Sequence, residues 1–216
     1  MEILFIILFG ITMIFLAGTN RLLAQIKILT LQGILLFLIC YCNCDKSNIY
    51  NFIFLTIETL IIKAIVIPAF LNKIVKKTNA YRDIAANMPH FYSIFFASVI
   101  LFIGFLISNL NIPAFEMINP LYFGIGIAVI IISLVLITIK HKILTNVIEF
   151  IALENGIFLL SLSQASEMPM IVNIGVLLDI FIAVYILGFL VNKINTEFHD
   201  LETSHLADLK DSKTND

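Results

Sequence analysis

Seven apolar runs, each about as long as a bilayer is thick, dominate this chain of 216 residues. They lie at residues 3–19, 28–44, 50–71, 91–110, 120–139, 143–165 and 170–191. A helix needs about 20 apolar residues to cross roughly 30 Å of hydrocarbon. A membrane-spanning strand would instead alternate polar and apolar residues, which these runs do not do. The sequence therefore predicts an all-α, polytopic membrane helix bundle with about seven transmembrane helices.

The composition indicates the class of protein and excludes several functions. The chain is 60% hydrophobic and 13% charged, far from a soluble domain, and a net charge of -2 argues against nucleic acid as a partner. No phosphate-binding loop, nucleophile elbow or metalloprotease motif is present, and no residue spacing supports haem or iron–sulfur ligation, so we expect no cofactor. Cys40, Cys42 and Cys44 alternate along a predicted helix with no histidine nearby, which favours packing over a metal site.

The basic residues predict the orientation of the chain. With seven spans, eleven of the 13 Lys and Arg residues fall on one side, while Lys46 falls on the other and Lys63 lies inside a span. The eleven are Arg21, Lys27, Lys73, Lys76, Lys77, Arg82, Lys140, Lys142, Lys193, Lys210 and Lys213. The positive-inside rule then places the N-terminus outside and the C-terminal tail in the cytoplasm of a prokaryotic plasma membrane. We expect the first run to be a permanent helix, because no basic segment precedes it.

Short sequence echoes divide the chain into two similar halves. Residues 27–30 recur at 142–145, and residues 71–74 resemble 191–194, so the offsets are 142 − 27 = 115 and 191 − 71 = 120 residues. These echoes predict a parallel three-helix repeat of spans one to three and five to seven, joined by span four. The predicted units are a first repeat with its cytoplasmic loop, a connecting helix, a second repeat and a cytoplasmic tail. They cover residues 1–90, 91–119, 120–194 and 195–216.

Five ionisable residues lie within the predicted spans: Glu58, Lys63, Glu149, Glu154 and Asp179. Each costs about 2.5–3.5 kcal/mol or more at the centre of a bilayer, so such residues are rarely incidental. They either relay protons or ions along the membrane, with water bridging the longer gaps, or pair with one another to hold helices together. The relay is favoured for Glu154 and Asp179, whereas Glu58 leaves both interpretations open. Glu149 lies closer to the cytoplasm, which its side chain can reach by snorkelling.

Neighbouring residues add three local predictions. Lys63 shares a helix face with Thr59, which gives span three a polar stripe. Gly156 lies two residues after Glu154 and allows a neighbouring helix to approach closely. Pro68 is expected to kink the inner end of span three.

The residues around two of the carboxylates resemble a known family. Leu153-Glu154-Asn155-Gly156, together with the segment 175–184 that contains Asp179, resembles component E of hydrogenase-4, of the formate-hydrogenlyase type. The similarity extends over most of the chain. Spans five to seven also resemble subunit K of proton-pumping NADH:quinone oxidoreductase, which carries one glutamate in its second helix and one in its third. The resemblance places Glu154 at the first of these positions and Asp179, a shorter carboxylate, at the second.

This resemblance implies a non-catalytic membrane subunit of a hydrogenase complex. It would lie in the bilayer between a quinone-module-like subunit and larger antiporter-like subunits, and would supply part of a lateral proton path coupled to redox chemistry. The runner-up resemblance is to a small subunit of the multisubunit cation/proton antiporters. As such a subunit, the chain would handle sodium as well as protons. That subunit has only three spans, which leaves the first half of this chain unexplained. A scaffold whose charges only hold helices together is the third interpretation.

Overall fold

The structure, a computed structural model, describes residues 2–43, 56–78, 90–110, 119–140 and 142–163. The predicted seventh span and the C-terminal tail lie outside these residues. The described elements are all helical, in the order α1 (Glu2–Gly18), α2 (Leu22–Asn43), π1 (Ile57–Val66), α3 (Ile67–Thr78), α4 (His90–Ser108), α5 (Pro120–Ile139) and α6 (Ile143–Leu162). No strand occurs among the described residues, which confirms the helical class.

Four of these helices have the length and composition of a membrane span: α2, α4, α5 and α6. The first helix, α1, is equally apolar but has only 17 residues. These helices confirm that the chain is built like a membrane protein. The total of seven spans stays a prediction.

Two predicted boundaries were wrong, both because a lysine was taken as the end of a span. The second helix begins at Leu22, six residues before the predicted start, and Lys27 lies inside it on an exposed face. The helix of the third predicted span continues beyond residue 71 to Thr78, because Ile74 and Val75 extend its buried face. A lysine can remain in a membrane helix when its long side chain points outward and reaches the surface.

The third span is not a uniform α-helix. Its first part, π1, has wider turns, and the backbone N–H of Ile67 donates to the carbonyl of Ile62, five residues earlier. Ordinary α-helical bonding begins at the next residues, where Pro68 is the second residue of α3. Proline has no N–H, and its ring collides with a carbonyl four residues back in an α-helix, so a wider turn before it relieves this conflict. Pro68 thus lies where the helix type changes, and the predicted kink stays a prediction.

The helices pack around one apolar core. Helices α5 and α6 form an antiparallel hairpin, α4 packs on α5, and α1 packs on α2, α4 and α5. Helix α2 also packs on π1, α3 and α6, so it joins the two parts of the bundle. Phe9, Leu36, Val129 and Leu159 are among the fully buried side chains of this core. The outer helix α4 instead exposes large apolar side chains such as Phe102, as expected of a helix that faces lipid or another subunit.

A glycine sets the closest approach between α2 and π1. A Cβ atom at Gly33 would lie 2.9 Å from both the Cα and the N of Ala64, so any side chain there would displace backbone. Lys63 is the neighbour of Ala64, and Gln32 is the neighbour of Gly33. The contact therefore brings two buried polar residues to the same level of the bundle.

We expect Gly33→Ala to destabilise the protein by about 1–3 kcal/mol, the usual cost of overpacking a rigid contact. Gly18→Ala is the matched control, because its Cβ would meet only the side chain of Ile94, which can move. Thermal unfolding of the purified variants in detergent measures the difference. Equal melting temperatures for the two variants would contradict the close approach at Gly33.

Candidate functional site

Helix α6 buries two carboxylates in the interior of the bundle. Glu149 is fully buried and Glu154 is 3% exposed. Five residues separate them, which corresponds to about 7.5 Å along the axis and about 140° around it. Both can be buried because α6 packs against α5 and against α2. Snorkelling, which the sequence left open as the alternative to a relay role for Glu149, is not observed, because this side chain is fully buried.

The partner of Glu149 is Lys140, the first residue after α5. The Lys140 Nζ lies 2.6 Å from Glu149 Oε1, and both side chains are almost completely buried. The same ammonium also donates to the backbone carbonyl of Leu16 at 3.3 Å. Leu16 lies in the last turn of α1, where carbonyls lack a partner within the helix and attract positive charge. Lys140 thus lies in the short connection between α5 and α6, but its side chain is buried against Glu149 and Leu16.

The second buried cation, Lys63, lies against α6. Its side chain is 1% exposed, and Nζ lies 4.7 Å from the centroid of the Phe158 ring. This is within the range of a cation–π interaction, which is stronger away from water. Phe158 follows Glu154 by four residues and therefore shares its face of α6. Thr59, one turn before Lys63, is also buried, so the predicted polar stripe does face the interior.

A chain of side-chain hydrogen bonds crosses the bundle beside Glu154. Asn155 Nδ2 donates to Gln32 Oε1 at 3.3 Å, and Gln32 Nε2 donates to Thr12 Oγ1 at 2.9 Å. The Thr12 hydroxyl then donates to the carbonyl of Phe9 at 2.6 Å. All three polar side chains are buried. These bonds join α6, α2 and α1 at one level, where lipid could offer no alternative partner.

The close contact predicted at Gly156 is confirmed. A Cβ atom there would lie 2.8 Å from Val129 Cγ1 and 3.2 Å from Ile130 N, on α5. This approach lets α5 support the middle of α6 from the side. The buried side chains near this level, namely Gln32, Lys63, Glu154, Asn155 and Phe158, are called the mid-bundle cluster.

Sequence reasoning missed the amide chain and Lys140. No prediction was made for Gln32, and Asn155 entered only as part of the motif at residues 153–156. The residue type of both side chains could have identified them, because a side-chain amide inside an apolar span needs a polar partner. Lys140 gave no such signal, because it lies at a helix end next to other basic residues.

Two predicted site residues lie beyond what the structure describes. Asp179 is outside the described residues, and Glu58 lies in π1 with a side chain that is not described. Their place in the predicted relay is therefore still a prediction. Cys40 is buried and Cys42 is exposed, while Cys44 lies outside the described residues. Within the described ranges, no group of three or more His, Cys, Asp or Glu side chains could hold a metal ion.

Comparison with known proteins gives one relative of note. The chain is similar to the uncharacterized protein Rv0085 of Mycobacterium tuberculosis, with 25% identity over 191 residues that cover 87% of this chain and 86% of that protein. No protein-family model matches the chain, and no solved structure matches it. The similarity extends through both halves of the chain.

A double-mutant cycle tests the hydrogen bond between Gln32 and Asn155. We expect Gln32→Leu and Asn155→Leu to be coupled by about 0.6 kcal/mol, and by at most about 1.7 kcal/mol, as found for polar pairs between membrane helices. Thermal unfolding of the single and double variants gives this coupling energy. Gln32→Leu combined with Ser133→Ala is the control, because Ser133 is buried on α5 outside the amide chain. Additive effects for the Gln32–Asn155 pair would rule out the bond.

Proposed function

We propose that this chain is a non-catalytic membrane subunit of a membrane-bound hydrogenase complex of the formate-hydrogenlyase type. Its buried carboxylates and lysines supply one segment of a lateral proton path, while the redox chemistry takes place in other subunits. Its partners are antiporter-like and quinone-module-like membrane subunits and the surrounding lipid. The proposal joins the resemblance at residues 153–156 and 175–184 to the positions of the described site residues.

The observation that carries the proposal is the burial of Glu154 and Lys63 at the middle of the bundle. Glu154 is the twelfth residue of the 20-residue helix α6, so it lies near the centre of a membrane span. A carboxylate that faced acyl chains there would be neutral and could not relay protons. Glu154 instead faces the bundle, with Lys63 above the ring of Phe158 on the same side of α6. A buried carboxylate and a buried lysine on one side of α6 are groups that a relay along the membrane plane would use.

The proposed orientation has the N-terminus outside and the tail in the cytoplasm of a prokaryotic plasma membrane. The contact of Lys140 with the Leu16 carbonyl supports it, because the ends of α1 and α5 then lie at the same end of the bundle. Arg21, Lys27 and Lys142 belong to this end, which is the side where basic residues collect in membrane proteins.

A structural role is the second candidate, and the Lys140–Glu149 pair favours it. A direct ion pair at 2.6 Å between neighbouring helices is what a scaffold with neutralised charges would contain. In that case the amide chain and the buried lysines only specify how the helices pack. The two candidates differ in what happens when a carboxylate is replaced by its neutral amide.

We expect Glu154→Gln to leave the complex assembled and to remove most of its proton pumping, because an amide keeps the shape but cannot accept a proton. Inside-out vesicles from the host cell, driven by formate or hydrogen, report pumping as quenching of a pH-sensitive dye. Glu2→Gln is the matched control, since Glu2 begins α1 and lies outside the site. Native gel electrophoresis verifies assembly. Unchanged pumping in assembled Glu154→Gln complex would reject the relay in favour of the scaffold.

The same vesicles separate a hydrogenase subunit from an antiporter subunit. We expect the dye response to persist when sodium salts are replaced by choline salts, because a proton path needs no metal cation. The electron donor should be required throughout. A response that depends on sodium and not on the electron donor would assign the chain to a cation/proton antiporter.

A further inference from the structure

We propose that the Lys140–Glu149 pair is a proton-loading site at the end of the bundle that holds the α5–α6 turn. Glu149 takes up a proton from this end and later gives it to water on the way to Glu154. Lys140 is the positioning residue that holds Glu149 ionised between these events. This inference rests on the proposed function. It adds Lys140 to the proton path and states from which end of the bundle the protons enter.

The first argument is that Lys140 has two acceptors of different kinds. Glu149 Oε1 lies 2.6 Å from its Nζ, and the Leu16 carbonyl lies 3.3 Å from it. When Glu149 is neutral, the ammonium keeps the carbonyl at the end of α1, whose partial negative charge still favours a cation. The pair can therefore open without leaving a buried ammonium bare, which would otherwise be very costly.

The second argument concerns the other carboxylate oxygen. Glu149 Oε2 is buried and has no hydrogen-bond partner among the described residues. A buried ion pair that serves only stability usually has its remaining oxygen lone pairs satisfied as well. Oε2 is thus the atom placed to accept a proton, while Oε1 is held by Lys140.

The third argument is the position of the pair along the helix. Glu149 lies about 9 Å from the start of α6 at Ile143, and Glu154 lies about 7.5 Å further in. Thr145, one turn before Glu149 on the same face, is also buried and extends the polar lining toward the turn. Glu149 is therefore an intermediate step between the turn and the middle of the bundle. Water must bridge both the gap between the turn and Glu149 and the gap between Glu149 and Glu154.

The elements packed around this pair carry few charges. Among the described residues, α5 has no charged residue before Lys140, and α1 carries only Glu2, at its opposite end. Arg21 before α2 and Lys142 before α6 lie at the same end of the bundle as the pair, and the side chain of Arg21 is exposed. The only charged residue of α2 is Lys27, which is exposed on the outside of the bundle. In the loading step, a proton from the solvent at this end passes along bridging water to Oε2, the water regains its proton from the solvent, and the contact between Lys140 and Glu149 opens. In the unloading step, the proton leaves to water on the inner side and the ion pair forms again. Lys140 keeps its own protons throughout.

Infrared difference spectroscopy tests this proposal without turnover of a host complex. The full chain is reconstituted into lipid nanodiscs, and spectra are compared from about pH 9 down to about pH 5, a range that spans the usual values of perturbed carboxyl groups. We expect a protonated-carboxyl band that grows as the pH falls, is lost in Glu149→Gln and is retained in Glu2→Gln. If the band is present in the wild-type chain and unaffected by Glu149→Gln, the proposal is wrong.

Lys140→Met provides the second variant, because it leaves the Glu149 carboxyl in place should Glu149→Gln fail to fold. Without the ammonium the neutral acid is favoured, so the band should begin to appear at a higher pH than in the wild-type chain. A band at an unchanged pH, or no carboxyl protonation over the whole range, would mean a permanent ion pair. Glu154→Gln in the pumping assay stays independent of this result. Pumping lost in that variant while Glu149 never takes up a proton would retain the relay and remove the loading site.

Discussion

Each charge that α6 carries into the bundle must be balanced by a group on another helix, and this requirement organises the structure. A lipid-facing polar side chain finds no water, so its partner has to come from the protein. Glu149 meets Lys140 from the end of α5, and the carbonyl of Leu16 adds α1 to the same contact. Near the middle of α6, the amide of Asn155 reaches α2 and, through Gln32, α1. Polar contacts thus fix α6 at two levels, while apolar packing fills the space between.

The close helix contacts explain how these partners can meet. Short polar side chains such as those of Gln32 and Thr12 bridge two helices only when the backbones are near each other. Gly33 brings α2 against π1 at Ala64, and Gly156 brings α6 against α5 at Val129. The wider turns of π1 lie beside the first of these contacts and carry Lys63. In a regular α-helix over residues 57–66, successive side chains would be rotated by a different angle about the helix axis. The position of Lys63 over Phe158 therefore depends on the π-helical geometry of this segment.

Much of the helical framework could be predicted from the sequence, because apolar length alone determines it. The predicted range 120–139 is the observed range of α5, and the start of α6 at Ile143 was also correct. Errors arose where a lysine was read as a boundary, at Lys27 and again beyond residue 71. A single sequence cannot distinguish a lysine that reaches the surface from one that ends a helix.

The candidate site was predictable only in part, for a related reason. Glu154 and Lys63 were recognised because an ionisable residue deep in an apolar run is costly wherever it points. Lys140 was missed because its burial depends on Glu149 and Leu16, which come together only in the folded bundle. The amide chain depends likewise on three helices that are far apart in sequence. Residue type identifies which side chains need partners, but three-dimensional packing decides which partners they find.

The short distance in sequence between Lys140 and Glu149 has a consequence for biogenesis. The two residues are nine apart and belong to one hairpin, so they can pair as soon as the first two turns of α6 have left the ribosome. The insertion machinery would then receive a neutral hairpin rather than two separate charges, at a lower cost of transfer into lipid. The carbonyl of Leu16, 124 residues before Lys140, is already present in the membrane when this hairpin arrives. A hairpin paired in this way would need only the contact of Lys140 with this carbonyl to align the late helices with α1.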